Sequence, residues 1–162
     1  DVDPASSSKS GNSELDEYVR RVAQSQKDFR WFLDQSESEK TSHPAIILEF
    51  GDHQSFATRE IMTRLNPDFA LYELGSSAYT TYFTVHGIGA HVDMRPFDFA
   101  SLDIAYLGVS FLEAAGLDKS PMFTDLAALR DHCSGKMYFC EDRTAVNQHL
   151  KKRIASNYLT IE

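Results

Sequence analysis

The chain is poor in cysteine: Cys133 and Cys140 stand alone among 162 residues, and they lack C-x-x-C spacing. Two thiols cannot build the disulfide framework of a small secreted scaffold, and the sequence offers neither a histidine partner beyond His132, which precedes Cys133. The expectation is two buried structural thiols in a reducing, cytoplasmic compartment. Cations are also scarce, since 16 Lys and Arg against 24 Asp and Glu leave a net charge of -8. Nucleic-acid affinity rests on basic contacts to phosphate, so no nucleic-acid partner is expected. No apolar run reaches the ~20 residues of a membrane span and no signal-peptide pattern opens the chain, so no membrane partner is expected either. The chain reads as soluble as it stands, with Asp1 marking the loss of something upstream. Phosphate-cradling G-x-x-x-x-G-K-[ST] and hydrolase G-x-S-x-G motifs are missing, and no internal repeat is present.

What is there has the composition of one ordinary globular domain: 42% hydrophobic, 25% charged and 12% aromatic. At this length a single core can bury roughly 70% of the surface of the unfolded chain, so no metal or staple is needed for stability. The acid is uneven. Residues 1–42 carry 9 acids and 6 bases, residues 43–120 carry 10 and 4, and residues 121–162 carry 5 and 6. Lys151-Lys152-Arg153 is a short basic cluster, read as a solvated helix face.

Residues 1–13 are rich in Ser, Asp, Gly and Pro and read as a disordered leader, with residues 14–162 as a single α/β domain. Ser13 is placed to cap a helix over 14–35, where Leu15, Tyr18, Val19, Val22, Phe29, Phe32 and Leu33 recur at three-to-four spacing. Ala45 to Phe50 is a short apolar run suited to a buried parallel strand. Ser55 to Leu65 has helical spacing, and Phe69 to Leu74 reads as a second strand, which together make a βαβ unit. Residues 78–87 are strand-like, and Ala90 to Met94 is read as a further short strand. Leu102 to Gly108 reads as strand followed by a short helix, with one long helix over 99–115 as the open alternative. Thr124 to Cys133 and residues 143–157 are expected helices, Met137 to Cys140 a strand, and Tyr158 to Ile161 an edge strand.

An open α/β sheet holds ligands beyond the carboxyl ends of its strands. That rule selects Glu49, Gly51, Asp52 and His53 after the first strand, Glu73 after the second, and Asp93 later. A carboxylate ending a second strand is suited to accept both hydroxyls of a ribose.

Ile46-Ile47-Leu48-Glu49-Phe50-Gly51, with Glu73 24 residues beyond Glu49, resembles the first motifs of the S-adenosylmethionine-dependent methyltransferases. Asp93 to Phe97, Asp103 to Tyr106, Phe111 to Glu113 and Gly135 to Phe139 are similar to their later motifs. The resemblance implies a three-layer Rossmann-like sheet flanked by helices, here with an N-terminal helix. It also implies S-adenosylmethionine as cofactor, with Glu49 and Gly51 at the methionine end, Glu73 on the ribose and Asp93 near the adenine. Asp52 or His53 would deprotonate a small-molecule or protein acceptor. The turn Gly51-Asp52-His53-Gln54-Ser55-Phe56 holds one glycine where the family has several. With the acidic middle of the chain, this motivates a second expectation, a non-catalytic interaction module for a basic protein partner. A third is a metal site of His86, His91 and Asp93, against which stands a plain hydrogen-bonded or surface histidine pair.

Overall fold

The computed structural model describes residues 11–38, 44–66, 68–70 and 72–157. The chain divides into two compact units, Asp1–Ala90 and His91–Glu162.

In the first unit, helix α1 spans Ser13–Ser38. Asn12 caps it in place of Ser13: the Asn12 side-chain oxygen accepts the amides of Glu14 at 3.0 Å and Leu15 at 3.2 Å. Glu14 and Asp16 in the first turn suit the positive end of the helix dipole. The expected apolar stripe is only partly used. Leu15 is buried and Tyr18, Phe29 and Leu33 half-buried, while Val19, Val22, Trp31 and Phe32 are exposed.

Strand β1 (Ala45–Phe50) pairs antiparallel with β2 (Phe83–Ile88), in register Ala45↔Ile88 through Phe50↔Phe83. Side chains alternate across a strand, so Ile47, Glu49, Thr84 and His86 share one face. α1 reaches that sheet through Phe29, whose ring meets His86 edge-on at 5.4 Å between centroids. Between the strands lie a 3-10 turn (Phe56–Thr58), helix α2 (Arg59–Leu65) and a second 3-10 turn (Ser77–Tyr79).

The second unit is helical: α3 (Ile104–Ala114), α4 (Pro121–His132) and α5 (Arg143–Ala155), preceded by a 3-10 turn at Arg95–Phe97. Tyr106, Val109, Leu126, Ala127, Leu129 and Val146 form its core with Cys133 and Cys140. Ser120 caps α4 and Asp142 caps α5.

The Rossmann-like expectation is overturned. The described residues are 56% helical and 9% strand, with five α-helices and one two-stranded antiparallel sheet, so there is no three-layer parallel sheet. The βαβ unit fails at its second strand. Phe69 is buried, but the chain around it turns repeatedly, with Ala70 N–H to Asp68 O, Glu73 N–H to Ala70 O and Ser76 N–H to Glu73 O, while Leu71 lies outside the described residues. A short apolar run does not by itself distinguish a strand from a buried anchor. Over 99–115 the chain is helical only in Ile104–Ala114, where Tyr106, Val109, Ser110 and Ala114 recur on one buried face at helical spacing; residues 99–103 are not helical, so neither the strand at Leu102–Gly108 nor one helix over the whole stretch holds. Ala90 to Met94 and Met137 to Cys140 are not strands. The leader residues 1–10 and the Tyr158–Ile161 segment lie outside the described residues.

The cysteine expectation is corrected too: Cys133 and Cys140 form a disulfide. Ser134 and Gly135 take positive φ values of 50° and 80°, which reverses the chain after α4 and returns Cys140 to its partner. Among the described residues no helix is long and apolar enough to cross a membrane.

Candidate functional site

Glu14, Glu17, Tyr18 and Arg21 recur at helical spacing and so share one face of α1. They line a cleft of about 460 Å³, whose other wall is Asp52, His53, Ser55, Phe56 and Ala57 on the segment after β1. That volume lies within the range of ligand pockets, about 300–1,000 Å³.

The wall after β1 is held by backbone and amide contacts. Gly51 N–H donates to Tyr82 O at 3.0 Å, and the Gln54 amide donates to Thr80 O at 2.6 Å. A Cβ on Gly51 would collide with the Thr81 hydroxyl, so a larger residue there would oblige the Thr81 side chain to turn away. Ser55 Oγ accepts the Ala57 amide at 3.2 Å and starts the 3-10 turn that displays Phe56. The Arg59 guanidinium lies 4.1 Å from the Phe56 ring centroid, an arrangement in which the ring face meets a cation.

The charge of the cleft is set by its carboxylates. Glu17 is held down to about 2 by hydrogen bonds from Arg20 and Arg21, so it is ionised at any ordinary pH. Asp52 Oδ1 accepts the His53 amide at 2.9 Å, and Asp52 Oδ2 lies 3.4 Å from His53 Nε2. The other ring nitrogen of His53 stands 3.0 Å from Gln54 O. The His53 ring is therefore engaged by Asp52 and Gln54 rather than by Ser55, and no nucleophile and base pair is assembled here. Glu17 is bonded by both Arg20 and Arg21, so the negative charge the cleft offers comes from Glu14 and Asp52.

The sequence-derived site residues scatter. Asp52 and His53 share this cleft. Glu49 faces the sheet surface, where it accepts Tyr82 OH at 3.3 Å and Thr84 Oγ1 at 3.0 Å, with His86 Nε2 at 3.8 Å. Burial, then the Glu49 charge, pushes the Tyr82 hydroxyl up. Glu73 is exposed in the turns before Ser77. In the second unit Asp93 is occupied by Arg95, whose hydrogen bonds hold the carboxyl down to about 2. His86 bonds Thr84 at 3.0 Å and His91 is an exposed residue. Among the described residues no three His, Cys, Asp or Glu side chains gather to hold a metal, so His86, His91 and Asp93 do not form the expected centre.

Glu14, Glu17, Tyr18, Arg21 and Phe56 escaped the sequence reading. The sequence signal for part of this set is the acidic first turn of α1. No protein family, curated protein or solved structure matches this chain.

Proposed function

We propose that the chain is a non-catalytic binding module whose cleft takes basic side chains of a protein partner. The observation that carries this reading is the lining itself: Glu14 and Asp52 with the Tyr18 ring, beside a Glu17 and a Phe56 that this chain's own arginines already engage. A lysine or arginine there meets the carboxylates of Glu14 and Asp52, and the Arg59 guanidinium over Phe56 shows how a cation sits on an aromatic face in this cleft. The unit bearing the cleft holds 14 acids and 8 bases, which draws a basic partner by long-range attraction. Exposed ion pairs contribute about 0–1 kcal/mol each and an exposed cation–π contact about 0.5–1 kcal/mol, so several basic residues must bind together. The Cys133–Cys140 disulfide favours an oxidising compartment over the cytoplasm as the place where the module works.

Methyl transfer finds less support, because the sheet is antiparallel and Glu49 and Asp93 are engaged by neighbouring side chains. Titration calorimetry discriminates the two. The module should give saturable heat with a short arginine–lysine peptide, fading as salt rises, and the double substitution Glu14→Gln/Asp52→Asn should weaken it several-fold. Saturable heat with S-adenosylmethionine and none with the peptide would reverse the reading.

A further inference from the structure

The two-stranded sheet of the first unit has an open rim at β1. Among the described residues β1 has one neighbour, β2. The Gly51 N–H bond to Tyr82 O lies one step beyond the Phe50↔Phe83 pair. Bonded pairs alternate along an antiparallel ladder, so Glu49↔Thr84, Ile47↔His86 and Ala45↔Ile88 are the pairs that exchange hydrogen bonds. The amides and carbonyls of Ile46, Leu48 and Phe50 therefore turn away from β2, as those of Val85 and Gly87 turn away from β1.

The two rims differ. α1 packs on β2, where Phe29 meets His86, and Gly87 leaves a gap in the side chains of that strand. β1 reads Ala45-Ile46-Ile47-Leu48-Glu49-Phe50, with no lysine, no proline and one charge, and the Glu49 carboxylate is already bonded by Tyr82 and Thr84. Natural proteins blunt an open strand rim with lysine, proline or a bulge, and the unbroken register of β1 contains no bulge. A rim left in this state is suited to pairing.

We propose that β1 pairs antiparallel with β1 of a second copy of this chain, joining two sheets into one of four strands. A row of main-chain donors and acceptors is complemented by another such row, and β1 is complementary to itself. A two-fold axis at Leu48 sets Leu48 opposite its own copy and Ile46 opposite Phe50, so each outward-turned residue meets an outward-turned one. Ile46, Leu48, Phe50, Phe83 and Val85 share one sheet face, and this axis makes their apolar surface continuous with that of the copy. On the other face Glu49 lies opposite Ile47, so the two Glu49 carboxylates are kept from facing each other. Moving the axis to Ile47 or Glu49 would centre the pairing on groups that β2 already bonds. Pro44, directly before β1, has no amide with which to extend the ladder. The strand is 6 residues long, small for an interface, so the dimer is a weak one that forms as concentration rises.

Sedimentation equilibrium and an isotope-filtered nuclear Overhauser experiment on the full chain test this. The sedimented mass should climb from one chain toward two with concentration. A mixture of labelled and unlabelled protein should give a cross-peak between Ile47 Hα of one copy and Glu49 Hα of the other, the close pair in this register. Within one strand these positions are about 6–7 Å apart, so the cross-peak reports the second copy. Leu48→Pro removes an amide that β2 does not use, and it should weaken the dimer at least tenfold with circular dichroism unchanged. Val85→Pro makes the same change on the outer rim of β2 and should leave the dimer as it is. If Leu48→Pro does not fold, the cross-peak in the parent protein decides. The proposal is overturned by a chain that stays monomeric up to its solubility limit, or by a dimer without the Ile47–Glu49 cross-peak. It is also overturned by a dimer that survives Leu48→Pro, or one that Val85→Pro dissociates with the fold intact. A Leu48 amide that gains exchange protection only on addition of an extended peptide from another protein would overturn it as well.

Discussion

Replacing the disulfide by Cys133→Ala/Cys140→Ala should destabilise the helical unit by an amount that follows from the loop it closes. The two cysteines are separated by seven positions. Loop-closure entropy lost from the unfolded chain then amounts to about 2.4 kcal/mol at room temperature. Both cysteines are buried in the core beside Tyr106, Leu129 and Val146, so losing the two sulfurs adds a packing loss of the same sign. Urea denaturation followed by far-ultraviolet circular dichroism is the assay. With an m-value of about 1–2 kcal/mol per molar for a unit of this size, the midpoint should fall by at least about 1.2–2.4 M. Reducing the parent protein should reproduce most of that shift, and its intact mass should rise by two hydrogens. Two titratable thiols in the unreduced protein, or a midpoint indifferent to reduction, would refute the reasoning.

Three further outcomes test the packing. Arg130→Ala should destabilise by about 2–4 kcal/mol in the same assay, because its 5% exposed side chain bonds Ser110 Oγ and Glu113, while Lys119 continues to pair with Glu113. Gly135→Ala should cost more than Gly116→Ala. Both have positive φ, worth about 1 kcal/mol to an alanine, but only Gly135 meets backbone at Ser101. In an acid titration of stability, Asp125 should contribute a slope. Its carboxyl is lowered first by Lys152 and then by His149, so the unfolded chain takes up the proton first as pH falls. The stabilisation is present above about pH 4, the unfolded carboxylate range, and is lost below it. Asp125→Asn should flatten that slope, and an unchanged acid limb would exclude the pairing.

The sequence made the helices visible where apolar spacing was regular and the ends were marked. α1, α2, α4 and α5 fall close to their expected spans, and β1 stands where Ala45 to Phe50 was read as strand. Its pairing was not legible. The Phe69–Leu74 run looked like the obvious neighbour, yet the partner is Phe83–Ile88, and strand order is a property of distant contacts rather than of local pattern. The disulfide was missed for a related reason, since seven-residue separation is no motif and closure depends on Ser134 and Gly135 reversing the chain. Asp52 and His53 were selected as residues at the end of a parallel strand. They do share a cleft, but its opposite wall comes from α1, a contact between distant segments that local spacing does not carry.

Amide chemical-shift mapping of the full chain during titration with an arginine–lysine peptide tests the binding cleft most directly. The account predicts saturable changes concentrated at Glu14, Glu17, Tyr18 and Arg21 on α1 and at Asp52, His53 and Phe56 opposite. Changes gathered elsewhere, or none that saturate, would contradict it.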